Sequence, residues 1–141
     1  MLRSLLHNVP AREVMATEFH TLRPEEPVAK ALEHFYHGCQ DDFPVVGDAG
    51  LEGILTRNRI LASIHEKGLD TTVAEIMDQD LTAIEPDSPL DEVYKRLQSA
   101  RKTAVAVVEA EQVKGMVCLD SISRYFMIRS ALERPSVEGH L

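Results

Sequence analysis

The sequence contains no tryptophan, two cysteines and few aromatic residues, which make up 5% of its 141 residues. So few aromatic side chains argue against a stacking groove for sugars or single-stranded nucleic acid. Cys39 and Cys118 are far apart and form no CxxC motif, which indicates a reduced, cytoplasmic protein. The longest uncharged apolar run, residues 103–108, is much shorter than the ~18 residues of a membrane-spanning helix. The first residues also lack the apolar core of a signal peptide.

Positive charge is also scarce. Fifteen basic residues against 23 acidic ones give a net charge of −8, and the basic residues are scattered. This balance argues against a nucleic-acid partner. The sequence has no GxSxG, HExxH or Walker motif. We therefore expect a protein that is not an enzyme, that needs no cofactor and that does not insert into a membrane.

What the chain does contain is an internal repeat. When it is shifted by 62 residues, Glu13-Val14-Met15 aligns with Glu75-Ile76-Met77, and no gap is needed from residue 13 to residue 60. An offset that holds over such a length indicates duplicated units. We place the units at residues 9–66 and 73–132, followed by a flexible tail at 133–141.

Each unit has the pattern strand, helix, strand, strand, helix, which predicts an α/β (α+β) fold of two βαββα repeats about a pseudo-twofold axis. In the first unit, Phe19–Arg23 is the expected first strand and residues 57–66 the expected last helix. A unit of about 60 residues buries little surface alone, so the two should share a core. The residues expected in the buried central strands are Val45, Val46, Val107 and Val108.

Three motifs together resemble the CBS domain. These are Pro24-x-x-Pro27 before a helix, the strand Phe43-Pro44-Val45-Val46, and the strand end Gly53-Ile54-Leu55-Thr56. Two such domains in tandem form a CBS pair, or Bateman module, and the resemblance covers residues 9–132. The segments 40–46 and 125–132 also look like the C-terminal CBS tail of membrane zinc proteases of the site-2 protease family.

This resemblance implies a regulatory module that senses an adenosine nucleotide (AMP, ADP or ATP) between the repeats and modulates an attached or partner protein. The partner would be a membrane protease or another regulated protein. A homodimer is expected, held by the second helices of both repeats. The expected exposed apolar residues there are Leu61, Ile64, Tyr125, Phe126 and Ile128. The alternative is a structural or dimerisation module that has lost nucleotide binding.

The family motif, Gly-apolar-apolar-Thr/Ser-x-x-Asp, places a hydroxyl near a phosphate and a carboxylate on the ribose. Here Thr56 keeps the hydroxyl but Arg59 replaces the Asp, while Cys118 and Ser121 replace both groups in the second repeat. Carried over to this chain, the resemblance implies the following nucleotide-binding residues: Thr21, Phe43, Pro44, Val45, Thr56, Arg57, Arg59, Ala83, Val105, Val107, Cys118 and Ser121. The first repeat should bind better, because Thr56 is retained.

Several of these residues have a simpler interpretation. Thr56 is also a suitable helix N-cap, which would leave Arg57 and Arg59 as solvated surface residues. His34, His37 and Cys39 have a spacing that suits a metal, but surface histidines beside a buried thiol explain them as well, and we predict no metal site. Asp41 and Asp42 would repel a polyphosphate.

Overall fold

A computed structural model describes residues 6–38, 40–80 and 83–133. The first half consists of a 3-10 turn, Ala11–Glu13, then α1 (Val28–His37), β1 (Phe43–Gly47), β2 (Gly50–Leu55) and α2 (Arg57–Glu66). The second half consists of α3 (Val73–Ile76), β3 (Ala83–Ile84), α4 (Leu90–Ala100), β4 (Ala104–Glu109), β5 (Gln112–Cys118) and α5 (Leu119–Leu132). Among these helices, none has the length and apolar character required to span a membrane.

The strands form two small sheets. β1 pairs antiparallel with β2, while β4 lies between an antiparallel β5 and a parallel β3. The strand expected at Phe19–Arg23 is reduced to one parallel bridge, between Leu22 and Val45. This bridge is the repeat counterpart of the β3–β4 pair Ile84 and Val107. The predicted mixed α/β fold of two repeats is confirmed.

The contacts between the halves follow the repeat. Ala16 and Met116 exchange two backbone hydrogen bonds of 2.8 and 3.0 Å, and so do Asp78 and Ile54. A shift of 62 residues converts one pair into the other, because residue 16 becomes 78 and residue 54 becomes 116. The backbone pairing is therefore that of a pseudo-twofold axis.

Each half completes the core of the other. Leu6, Val9 and Ala11 lie in the core of the second half, beside Ile122. In the same way, Val73 lies in the core of the first half. The burial of these apolar side chains stabilises the pair as one unit, since neither half has a full core of its own.

The burial of four residues differs from the sequence predictions. Val45 and Val107 are fully buried, but Val46 and Val108 are half-buried, and the register of each hairpin shifts between these neighbours. Of the residues expected to be exposed, Tyr125 is half-buried against the second core. Phe126 is half-buried too. Cys39 and residues 134–141 lie outside the described residues.

Candidate functional site

Between the halves, the described residues line a pair of cavities, and the repeat relates one to the other. Cavity 1, of about 770 Å³, lies between the start of α2 and the start of α5. Cavity 2, of about 340 Å³, is lined mostly by residues that correspond to those of cavity 1 after the 62-residue shift. Gln40 of cavity 1, for example, corresponds to Lys102 of cavity 2, and Ser121 of cavity 1 corresponds to Arg59.

A glutamine fixes one wall of cavity 1. The backbone N–H of His20 donates to Gln40 Oε1 at 2.7 Å, and Gln40 Nε2 donates to the carbonyl oxygens of His20 and Asp42 at 2.9 and 2.8 Å. Gln40 thereby ties the segment that contains Phe19 to the beginning of β1. The larger apolar side chains of the lining come from Phe19 and, from the other half, Met116 and Leu119.

The opposite wall is made of small side chains at the start of α5. Cys118 Sγ and Ser121 Oγ lie 3.0 Å apart, in hydrogen-bond contact. Both line the cavity together with Asp120, the carboxylate in the first turn of α5. These short side chains leave room that the arginine at the corresponding position does not leave in cavity 2.

Asp42 is the half-buried carboxylate of cavity 1. Burial raises the pKa of its carboxyl above the usual range, while a hydrogen bond from the Arg57 N–H, at 3.3 Å, opposes this rise. The negative charges of Asp41 and Asp120 raise the pKa further. Because Asp120 belongs to the other half, carboxylates from both repeats face the same space.

Cavity 2 is lined by charged side chains that are already paired with other groups of the protein. The ammonium of Lys102 pairs with Asp78 and lies 3.6 Å from Asp80. The guanidinium of Arg59 donates to the carbonyl oxygens of Ile76 and Met77 at 3.1 and 3.3 Å. These contacts explain why cavity 2 is smaller.

The structure divides the residues predicted from the motif. Thr56 lines both cavities and is also the N-cap of α2, since its hydroxyl accepts the Arg59 N–H at 3.3 Å. Arg57, Cys118 and Ser121 line cavity 1, whereas Arg59 lines cavity 2. Thr56, Arg57 and Arg59, all predicted to bind the nucleotide, are therefore divided between the two cavities.

The remaining predicted residues do not line either cavity. Phe43, Val45, Val105 and Val107 are fully buried in the two cores, and Pro44 is buried as well. Their side chains are therefore unavailable to a ligand in the cavities. Thr21 and Ala83 are exposed and absent from both linings, as far as the described residues go.

Sequence reasoning missed Phe19, Gln40 and Asp120 in cavity 1 and the ion pair of Lys102 in cavity 2. The available signal was the repeat itself, which aligns Gln40 with Lys102. The sequence does not show that the two halves place these residues in separate cavities.

His34, one of the histidines considered as a metal ligand, stacks against His20. The rings of His20 and His34 are 4.2 Å apart and nearly parallel. Burial lowers the pKa of His34, and the charge of His20 lowers it further. Within residues 6–38, 40–80 and 83–133, no group of three or more His, Cys, Asp or Glu side chains is arranged to hold a metal ion.

Comparison with known proteins agrees with the repeat. A model of the CBS domain matches residues 11–66 and again residues 73–128. A homoserine O-acetyltransferase of Methanosarcina acetivorans is 26% identical over 128 residues, which are 89% of this chain. The chain spans only 23% of the length of that curated relative.

Solved structures share the fold. The CBS domain pair of protein MJ0100, in complex with 5′-methylthioadenosine and S-adenosyl-L-methionine, has a TM-score of 0.79 at 22% identity. That match covers 86% of this chain and 98% of the other. The CBS domain of a bacterial CNNM/CorC-family Mg²⁺ transporter, in complex with ATP, has a TM-score of 0.77 at 20% identity, and the match covers 89% and 92% of the two chains. Together with the two matched segments, these findings show that the chain belongs to the CBS domain family and carries two CBS domains in tandem.

Proposed function

We propose that this CBS pair is a non-catalytic, cytoplasmic regulatory module that binds an adenosine-containing ligand in cavity 1. The observation that carries the proposal is the cavity itself, because its volume of about 770 Å³ is typical of small-molecule sites and both halves line it. The relatives in complex with S-adenosyl-L-methionine, 5′-methylthioadenosine and ATP support an adenosine compound.

The lining offers suitable groups for such a ligand. Phe19 and Met116 present apolar surface for a purine ring, and the Asp120 carboxylate is an acceptor for ribose hydroxyls. Cavity 1 contains Cys118 and Ser121, the motif positions of the second repeat. The proposal therefore differs from the sequence expectation that the first repeat binds the ligand better. In cavity 2 the Arg59 guanidinium is already engaged by backbone carbonyls.

A ligand in cavity 1 would touch both halves and would therefore favour one arrangement of the pair over another. The attached or partner protein would read out that change. The segment that this chain matches makes up 23% of the length of the acetyltransferase relative. A larger protein to which the CBS pair is attached is therefore one model for the regulated protein. A membrane protease of the site-2 type stays a prediction.

Adenosine binding is tested by thermal denaturation of the wild type and a Ser121→Arg variant. A ligand at ten times its dissociation constant should raise the melting temperature by about 5 °C. The variant places an arginine at the position that corresponds to Arg59 in the lining of cavity 2, so adenosine should no longer stabilise it. Ser123→Arg, at an exposed position of the same helix, is the control and should keep the shift.

A variant Ser121→Arg that is stabilised as much as the wild type would show that cavity 1 is not the site. If adenosine stabilises neither protein, the regulatory proposal fails and the structural module is left.

Dimerisation, the second candidate function, is favoured by exposed apolar side chains on α2 and α5. Leu61 and Ile64 are 49% and 37% exposed, and Met127 and Ile128 are 64% and 59% exposed. Exposed apolar patches of this kind mark interaction surfaces. We expect a dimer by light scattering at tens of micromolar and a monomer for Leu61→Glu/Met127→Glu. Leu69→Glu, outside these helices, is the control, and a monomeric wild type would refute the candidate.

A further inference from the structure

We infer that cavity 1 selects its ligand by charge, accepting an uncharged or cationic adenosine derivative and excluding phosphorylated ones. The inference rests on the proposed function, because it specifies which adenosine compounds the same cavity accepts.

The two related cavities carry opposite charge. Cavity 1 is lined by four carboxylates and two guanidinium groups, from Glu18, Asp41, Asp42, Asp120, Arg57 and Arg124. Cavity 2 is lined by three cationic side chains and two carboxylates, from Arg59, Arg101, Lys102, Asp78 and Asp80. The larger cavity is thus the acidic one, and a phosphorylated ligand would enter it against a net negative charge.

The positions of the carboxylates matter more than their number. A phosphate in a protein commonly binds the free N–H groups at a helix N-terminus. At the N-terminus of α2, the carboxylate of Asp42 already accepts the Arg57 N–H at 3.3 Å. At the N-terminus of α5, Asp120 occupies the first turn. One helix end that lines cavity 1 therefore has an N–H already bonded to a carboxylate, and the other carries a carboxylate in its first turn.

Burial strengthens the effect at Asp42. Its side chain is half-buried, so its repulsion of a phosphate is screened less by water and salt than that of an exposed group. Arg57 and Arg124 are both exposed, and Arg124 Nε lies 3.4 Å from the carbonyl oxygen of Asp120. Their attraction for a phosphate is therefore more strongly screened. A ribose or a sulfonium group meets no such repulsion.

The repeat shows that Asp42 is not required by the fold. The corresponding residue in the second half is Ala104, at the beginning of β4. The carboxylate is therefore a feature of cavity 1 alone, and it can be replaced without changing the architecture of the repeat.

The experiment compares five compounds by isothermal titration calorimetry on the whole chain: adenosine, 5′-methylthioadenosine, S-adenosyl-L-methionine, AMP and ATP. We expect the first three to bind at least tenfold more tightly than AMP and ATP. If AMP binds as tightly as adenosine, the charge inference is wrong while the proposed function stands. If none of the five binds, both are wrong.

An Asp42→Asn variant tests the residue that the inference names. The amide oxygen of the asparagine can still accept the hydrogen bond from the Arg57 N–H, whereas the negative charge is lost. AMP affinity should rise on the order of tenfold, and adenosine affinity should stay within about twofold. Asp70→Asn, which removes the same charge from an exposed loop position, should change neither affinity. Equal gains for both variants, or no gain for Asp42→Asn, would overturn the inference.

Discussion

Replacing Gly115 by alanine should lower the free energy of unfolding by about 3 kcal/mol, since the added methyl group overpacks the site and displaces backbone hydrogen bonds. A Cβ at this position would lie 2.9 Å from the backbone oxygen of Ala16 and 2.7 Å from Sδ of Met15. The thioether can move, but the Ala16 carbonyl is fixed by its bond to the Met116 N–H. The backbone pairing of Ala16 with Met116, which joins the two halves, would therefore have to shift.

The same argument applies to Gly53 through the repeat. A Cβ there would lie 2.8 Å from the backbone oxygen of Asp78 and 2.8 Å from Sδ of Met77. Alanine at either glycine should therefore destabilise the protein by a similar amount. This close approach is a physical reason for a glycine at this point of both repeats.

Urea denaturation measures the effect, with Lys114→Ala as the matched control. Lys114 is the neighbour of Gly115 in β5 and is exposed, so its truncation should change the unfolding free energy by less than about 0.5 kcal/mol. A Gly115→Ala variant as stable as this control would contradict the close approach of the Gly115 and Ala16 backbones. Because Ala16 and Met116 also line cavity 1, the variant should bind adenosine less tightly as well.

The repeat made most of the fold predictable from sequence. A constant offset of 62 residues indicated the two halves, and the helix expected at residues 57–66 and the strand expected at residues 43–46 match α2 (Arg57–Glu66) and β1 (Phe43–Gly47). The first strand was overpredicted, because an extended segment before Pro24 forms a single bridge at Leu22. The local sequence pattern indicates an extended backbone, but whether that segment forms a strand depends on which other strand lies beside it in the fold.

The site was less predictable, because it depends on contacts between distant residues. Thr56, which the sequence suggested as a helix N-cap, is the N-cap of α2. The family resemblance implied that Phe43 and Val45 contact the ligand, although their side chains lie in the core of their own half. The role of Lys102 follows only from its proximity to Asp78, 24 residues earlier in the chain.

Replacing Lys102 by methionine should lower the free energy of unfolding at pH 7 by about 2 kcal/mol or more, because it leaves a mostly buried carboxylate without its partner. The side chains of Lys102 and Asp78 are each only 17% exposed. Lys95→Met, at an exposed position of α4, is the control for the added apolar side chain and should have little effect. A double variant, Lys102→Met/Asp78→Asn, should recover most of the loss.

The pH dependence identifies the ion pair as the cause. Burial raises the pKa of Asp78, but the hydrogen bonds from Lys102 and the Asp80 N–H outweigh it, so the pKa of the folded wild type lies below the usual range. Such a group contributes stability above its unfolded pKa of about 3.9 and loses it as the pH falls through the folded pKa. Without Lys102 the folded pKa moves upward, so the stability difference between wild type and variant should be full at pH 7. It should then shrink roughly between pH 5 and pH 3. Urea denaturation across this range would refute the ion-pair explanation if the difference stayed constant, since loss of packing alone does not depend on the charge of Asp78.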